Sequence, residues 1–82
     1  MTDDRLAGLR QMVADLGGLG ADEIDPNEPL FTAGLIDSMS LLQVISFVEE
    51  KFGVAINPAD ITLDNWDSLS RIGRFLTARG VL

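Results

Sequence analysis

Five apolar residues in one fifteen-residue stretch do most to limit how this chain can fold. From Ser38 to Phe52, Leu41, Val44, Ile45, Val48 and Phe52 recur at helical spacing, and at 100° per residue they fall within an arc of about 100°. A helix striped in this way needs other apolar faces to cover it. Residues 3 to 16 offer one, with Leu6, Leu9, Val13 and Leu16 aligned, Thr2 as N-cap, acids in the first turn and Gly17-Gly18 as the stop. A second begins after Asp67 or Ser68 as cap, aligns Leu69, Ile72, Phe75 and Leu76, and ends at Gly80. Gly53 closes the central helix, and Asn57-Pro58 then reads as an N-cap followed by proline at the first helical position. That pair opens a short turn through about Leu63, anchored by Ile61. No segment shows the two-residue period of a strand, so the expected fold class is all-α, with three longer helices and one short one.

Residues 17 to 36 hold no sustained period and include Pro26 and Pro29. A structureless loop of that length is unusual in a compact domain. Its apolar members Leu19, Ile24, Leu30, Phe31, Leu35 and Ile36 predict a loop pinned to the core at intervals. Trp66 is expected to plug the junction of the last two helices. Gly73, inside the last helix, predicts close packing or a loose helix there. Arg71, Arg74 and Arg79 read as charges favourable near that helix's C-terminus.

With 82 residues, the whole chain (1–82) is expected to form one domain, with a radius of gyration of roughly 12 Å. Such a domain buries only about 60% of its extended-chain surface, so a deep catalytic cleft would compete with the core for the same residues. There is no cysteine and no histidine, which removes thiolate nucleophiles, common zinc sites, disulfides and the usual neutral-pH base. A non-catalytic protein acting through its surface is the expectation. The N-terminus has charges where a secretory signal would be apolar, and no apolar stretch reaches bilayer-spanning length. The chain therefore reads as soluble, cytoplasmic and not inserted in a membrane.

Net charge is −7, and between Arg10 and Lys51 eight acids and no base occur. That field repels nucleic acid and favours basic protein surfaces. On the central helix the side opposite the stripe carries Met39, Leu42, Gln43, Ser46, Glu49 and Glu50, a mixture of apolar and acidic side chains suited to docking a basic partner. Glu49 and Glu50 stand near the helix C-terminus, where the macrodipole disfavours anions. Ser38 opens the helix. Asp37, Ser38 and Ser40 are all serviceable caps, Ser40 with Gln43 as a capping box, so at least one hydroxyl is spare. A hydroxyl there faces unpaired backbone N–H groups and the positive dipole end, a setting that tolerates a phosphoester. The chain has no histidine and one lysine, so a serine here lacks a base to activate it and any covalent change must come from another protein.

The segment "LFTAGLIDSMSLLQVISFVEEKFGVAI", Leu30 to Ile56, resembles the phosphopantetheine attachment region of acyl and peptidyl carrier proteins. The likeness runs from the apolar pair Leu30-Phe31 through Gly34-Leu35 and Asp37-Ser38-Met39 to Glu49-Glu50-Lys51-Phe52-Gly53. It implies a four-helix bundle of the acyl carrier type, with a long first loop and a short third helix. It implies that Ser38 receives 4'-phosphopantetheine from coenzyme A through a separate Mg-dependent phosphopantetheinyl transferase, Asp37 orienting the site. The arm's thiol would carry an acyl or aminoacyl group as a thioester, delivered by an adenylating enzyme or acyltransferase and used by a downstream synthase. Met39, Leu42, Ser46, Glu49 and Glu50 would form the partner surface, with the protein a monomer.

Ser40 and Gln43 stand where fatty-acid-synthesis members typically carry acids. The final part, "ITLDNWDSLSRIGRFL", looks more like carriers of specialised pathways: polyketide and nonribosomal peptide assembly, and the D-alanyl carrier of teichoic acid modification. A free-standing carrier of the first kind is expected, with a D-alanyl carrier or a fatty-acid-synthesis carrier as the alternatives. A helical adaptor using the same face unmodified is the rival from another class. A calcium site in "ADEIDPNEPLF" is disfavoured, because from Asp22 or Glu23 the register lacks the sixth-position glycine and the twelfth-position glutamate.

Overall fold

The computed structural model describes residues 4–82, so the expected Thr2 cap lies outside the described residues. The first helical period becomes α1, Asp4–Gly17, and Gly18 follows in the left-handed region. The central period becomes α2, Ser38–Phe52, the expected span. Its end is set by Gly53, whose φ of 65° suits a residue without Cβ and whose N–H donates to the Glu49 carbonyl at 3.1 Å. A four-residue α3, Leu63–Trp66, and α4, Leu69–Ala78, complete the bundle, and no strand occurs among the described residues.

The stripe on α2 is buried as its spacing required. Val44, Ile45, Val48 and Phe52 are enclosed, with Leu41 half-buried at the edge. They meet Leu9 and Val13 of α1 and Ile72, Phe75 and Leu76 of α4 in one apolar cluster. Its largest buried side chain is Trp66, which tilts against Phe75 with ring centroids 5.6 Å apart. The indole N–H donates to the Asp60 carbonyl at 2.8 Å, satisfying the polar end of an otherwise apolar plug. The Cα radius of gyration is 11.6 Å.

The long loop between α1 and α2 is pinned as expected. Ile24, Leu30 and Ile36 are buried, and Leu19, Phe31 and Leu35 are half-buried. It also contains a 3-10 turn, Ala21–Glu23, that its irregular pattern does not reveal. Arg10 of α1 braces it, donating from Nε to the Ala21 carbonyl and from Nη2 to the Ile24 carbonyl, both at 2.6 Å.

Several expectations are corrected. The single short turn after Asn57 is two elements, a 3-10 turn at Pro58–Asp60 and then α3, because Ile61 breaks the run with a non-helical backbone. Ile61 is exposed, and Trp66 is the anchor. Ser68 alone caps α4, its Oγ accepting from Arg71 N at 3.1 Å. Arg71 lies in the first turn of α4, where it reaches back to the Leu63 carbonyl and to Asp64. Arg79, at the far end, pairs with Asp60 at 3.1 Å and donates to the Ala55 carbonyl. Gly73 is not closely packed: a Cβ built there meets nothing within 4 Å.

Candidate functional site

The start of α2 is built by a division of labour among three polar residues. Asp37 is the N-cap, with extended backbone and a carboxylate oxygen accepting Ser40 N–H at 2.8 Å. That bond, with help from the Ser40 hydroxyl and the Met39 N–H, holds the Asp37 carboxyl below its ordinary value, slight desolvation acting the other way. Asp37 is thus an anion at neutral pH and a weakened base. Ser40 occupies the third helical position, taken up with the cap. Ser38, at the first, is the hydroxyl left over: it is exposed, and its Oγ makes no hydrogen bond to any described residue.

A serine at that position stands before backbone N–H groups with no intrahelical partner, at the positive end of a fifteen-residue helix. The exposed hydroxyl leaves room for a bulky ester, and the helix end suits its negative charge. The neighbouring Asp37 carboxylate is a poor base for the serine, since its oxygen is engaged by the Ser40 N–H and its proton affinity is lowered by that bond.

Along α2 the remaining expected residues separate into two sets. Met39 and Leu42 are 73% and 60% exposed. Leu42, Ser46 and Glu50 line one shallow groove with Gln43 and Phe47, whose opposite wall is Met12 of α1. Glu49 is exposed but turned to another use: its carboxylate accepts Ile56 N–H at 3.0 Å and ties down the chain leaving α2. Two acids of the long loop are likewise engaged locally, Glu23 with Gly20 N–H at 2.7 Å and Asp25 with Asn27 N–H at 2.8 Å. No group of acids suited to a metal ion occurs among the described residues.

Sequence reasoning missed Asp67, taking it only as a possible cap. Asp67 is 6% exposed, and its side chain crosses to the loop before α2: Oδ1 accepts Phe31 N–H at 2.8 Å and Thr32 N–H at 3.1 Å, and Oδ2 accepts the Thr32 hydroxyl at 2.7 Å. One signal was present in the sequence, two cap-type residues side by side where one helix needs one.

Fold and site together define a small helical bundle that displays an unengaged serine at the head of its central helix. The family model for the phosphopantetheine attachment site matches residues 7–76, and the chain belongs to that family of carrier proteins, whose prosthetic group is covalently attached 4'-phosphopantetheine. Among its relatives, the D-alanyl carrier protein of Lactobacillus acidophilus is 30% identical over 84% of this chain and 86% of its own length. The acyl carrier protein of Acidothermus cellulolyticus is 36% identical over 66% of this chain and 64% of its own. A non-reducing polyketide synthase of Aspergillus novofumigatus is 31% identical over 71% of this chain, which spans only 2% of that protein. A chain from a crystal structure of an FAD-dependent dehydrogenase shares the fold, with a TM-score of 0.70 at 24% identity, over 83% of this chain and 96% of that one. No helix among the described residues is long and apolar enough to cross a membrane.

Proposed function

We propose that Ser38 is the attachment point of 4'-phosphopantetheine and that residues 1–82 act as one non-catalytic carrier domain. The observation that carries this reading is the idle, exposed hydroxyl at the first position of α2, inside the segment matched by the family. When bound, the arm supplies a thiol on which an acyl or aminoacyl group rides as a thioester. This chain's own part is to hold the serine still, with Asp37 fixing the first turn, and to offer partners the face bearing Met39, Leu42, Ser46, Glu49 and Glu50. The partners are a phosphopantetheinyl transferase, a loading enzyme that adenylates or transfers the acyl group, and a downstream synthase.

Polyketide or nonribosomal peptide assembly is the pathway we favour. Its support is the pair Ser40 and Gln43, where an acidic docking helix would add charge, together with the likeness to a polyketide synthase. A D-alanyl carrier is the second reading, favoured by likeness along most of the length of such proteins. Incubation with coenzyme A and a broad-specificity transferase tests the attachment: wild type gains the mass of one arm and Ser38→Ala gains none. An unchanged wild-type mass would favour an unmodified adaptor. The intact mass of the protein from its native host then reads out the cargo and separates the pathways.

A further inference from the structure

We infer that Asp67, remote in sequence from Ser38, is a positioning residue for it: its buried carboxylate fixes the loop that ends in the cap of α2 and so presets the serine for the transferase. The inference rests on Ser38 being the attachment point. A carboxylate is expensive to bury and is kept only where its oxygens are satisfied. All three side-chain bonds of Asp67 go to Phe31 and Thr32. None serves α4, because Ser68 already caps that helix. Its main-chain carbonyl adds a fourth link, accepting Leu30 N–H at 2.6 Å, and Ser70 N–H reaches the Pro26 carbonyl at 2.8 Å. The segment from Pro26 to Thr32 is therefore stitched to the junction of α3 and α4.

From that stitched segment the path to the serine is short and hydrogen-bonded. Gly34, at a φ of 76°, turns the chain and donates to the Phe31 carbonyl at 3.1 Å. Ile36 N–H returns to the Leu30 carbonyl at 2.9 Å, and the Ile36 side chain is buried. The next residue is Asp37, the cap, and the next is Ser38. Each end of the turn from Leu30 to Ile36 is thereby fixed relative to Asp67. If the carboxylate is removed, residues 31 to 36 must be ordered at each encounter with the transferase. That cost falls on binding, since Asp67 touches no reacting atom.

The test compares coenzyme A-dependent modification of wild type, Asp67→Ala, Thr32→Val, the double variant, Asp67→Asn and Ile72→Val, by one broad-specificity transferase at a temperature where all are folded by circular dichroism. Ile72→Val trims the shared core by one methyl group and leaves the Asp67 carboxylate and its three bonds to the loop in place. Amide hydrogen exchange on the same samples reports loop order without any transferase. Losing these bonds should raise the carrier's KM about fivefold in Asp67→Ala with kcat nearly unchanged. Thr32→Val, at an exposed position and safe for folding, should shift KM in the same direction by a smaller factor, and the double variant should be no worse than Asp67→Ala. Asp67→Asn, which can still pair with the loop, should recover most of the affinity. Exchange at Gly34 and Ile36 should quicken in Asp67→Ala and not in Ile72→Val. An unchanged KM and unchanged exchange in both Asp67→Ala and Thr32→Val would overturn the inference, as would an equal KM rise in Ile72→Val. If wild type gains no mass, the Ser38 reading fails and this inference with it, whereas a modified wild type with indifferent variants overturns the inference alone.

Discussion

At the residue scale, the distinction that matters is which polar side chains are occupied. Asp37, Ser38 and Ser40 are interchangeable as caps in sequence, and backbone geometry separates them: Asp37 has the extended conformation of an N-cap while Ser38 is already helical. Removing the cap in Asp37→Ala should fray the first turn of α2, seen as faster amide exchange at Ser40, the donor to the lost carboxylate. Glu49 carries a structural task beside the docking role proposed for it. Its place near the C-terminus of α2 reads as docking charge, yet its carboxylate holds Ile56 N–H. Glu49→Ala should speed exchange at Ile56, and comparison with Glu50→Ala in a transferase binding assay would separate loop support from docking. Gly73 lies in open space on α4, so Gly73→Ala should stabilise the protein by up to about 1 kcal/mol in urea unfolding, the difference in helix propensity.

At the element scale, the helices were legible because each carries its period and its punctuation within a few residues. The stripe from Leu41 to Phe52, the stop at Gly53 and the start after Ser68 need no distant information. The segment between Gly53 and Ser68 was less legible. Ile61 and Trp66 are both apolar in a short irregular stretch, and only the packing against Phe75 and the bond to the Asp60 carbonyl decide that Trp66 goes inside. Truncating that plug in Trp66→Ala should cost about 3–5 kcal/mol, the usual range for a buried large aromatic side chain, measured by urea denaturation. The exposed hydroxyl of Ser38 should be untouched by comparison: Ser38→Ala should leave the melting temperature within a few degrees, since the cap is Asp37.

At the scale of the whole molecule, the bond between Asp67 and the Phe31–Thr32 segment joins parts of the chain that no local pattern relates. The contact spans 35 and 36 residues, and nothing in either stretch names the other, which is why the loop's anchoring by apolar residues could be expected and its polar clamp could not. This clamp also sets a pH dependence. Burial pushes the Asp67 carboxyl up, but the Thr32 hydroxyl, the Phe31 and Thr32 N–H groups and the nearby Arg71 charge outweigh it and leave it below the ordinary 3.8. A carboxyl whose value is depressed on folding contributes stability that is fully present above its unfolded-state value and is lost as pH falls through its folded-state value. Wild type should therefore lose urea resistance below about pH 4 more steeply than Asp67→Asn, which has no proton to take up there. Comparing the two cancels the relief of the −7 net charge in acid, which acts on both.

The measurement that bears most directly on the account is the intact mass of the apo protein before and after reaction with coenzyme A and a broad-specificity phosphopantetheinyl transferase, run beside Ser38→Ala. Wild type should gain one arm, mapped by peptide fragmentation to Ser38, and the variant none. An unmodified wild type, or an arm that persists in Ser38→Ala, would contradict Ser38 as the attachment point.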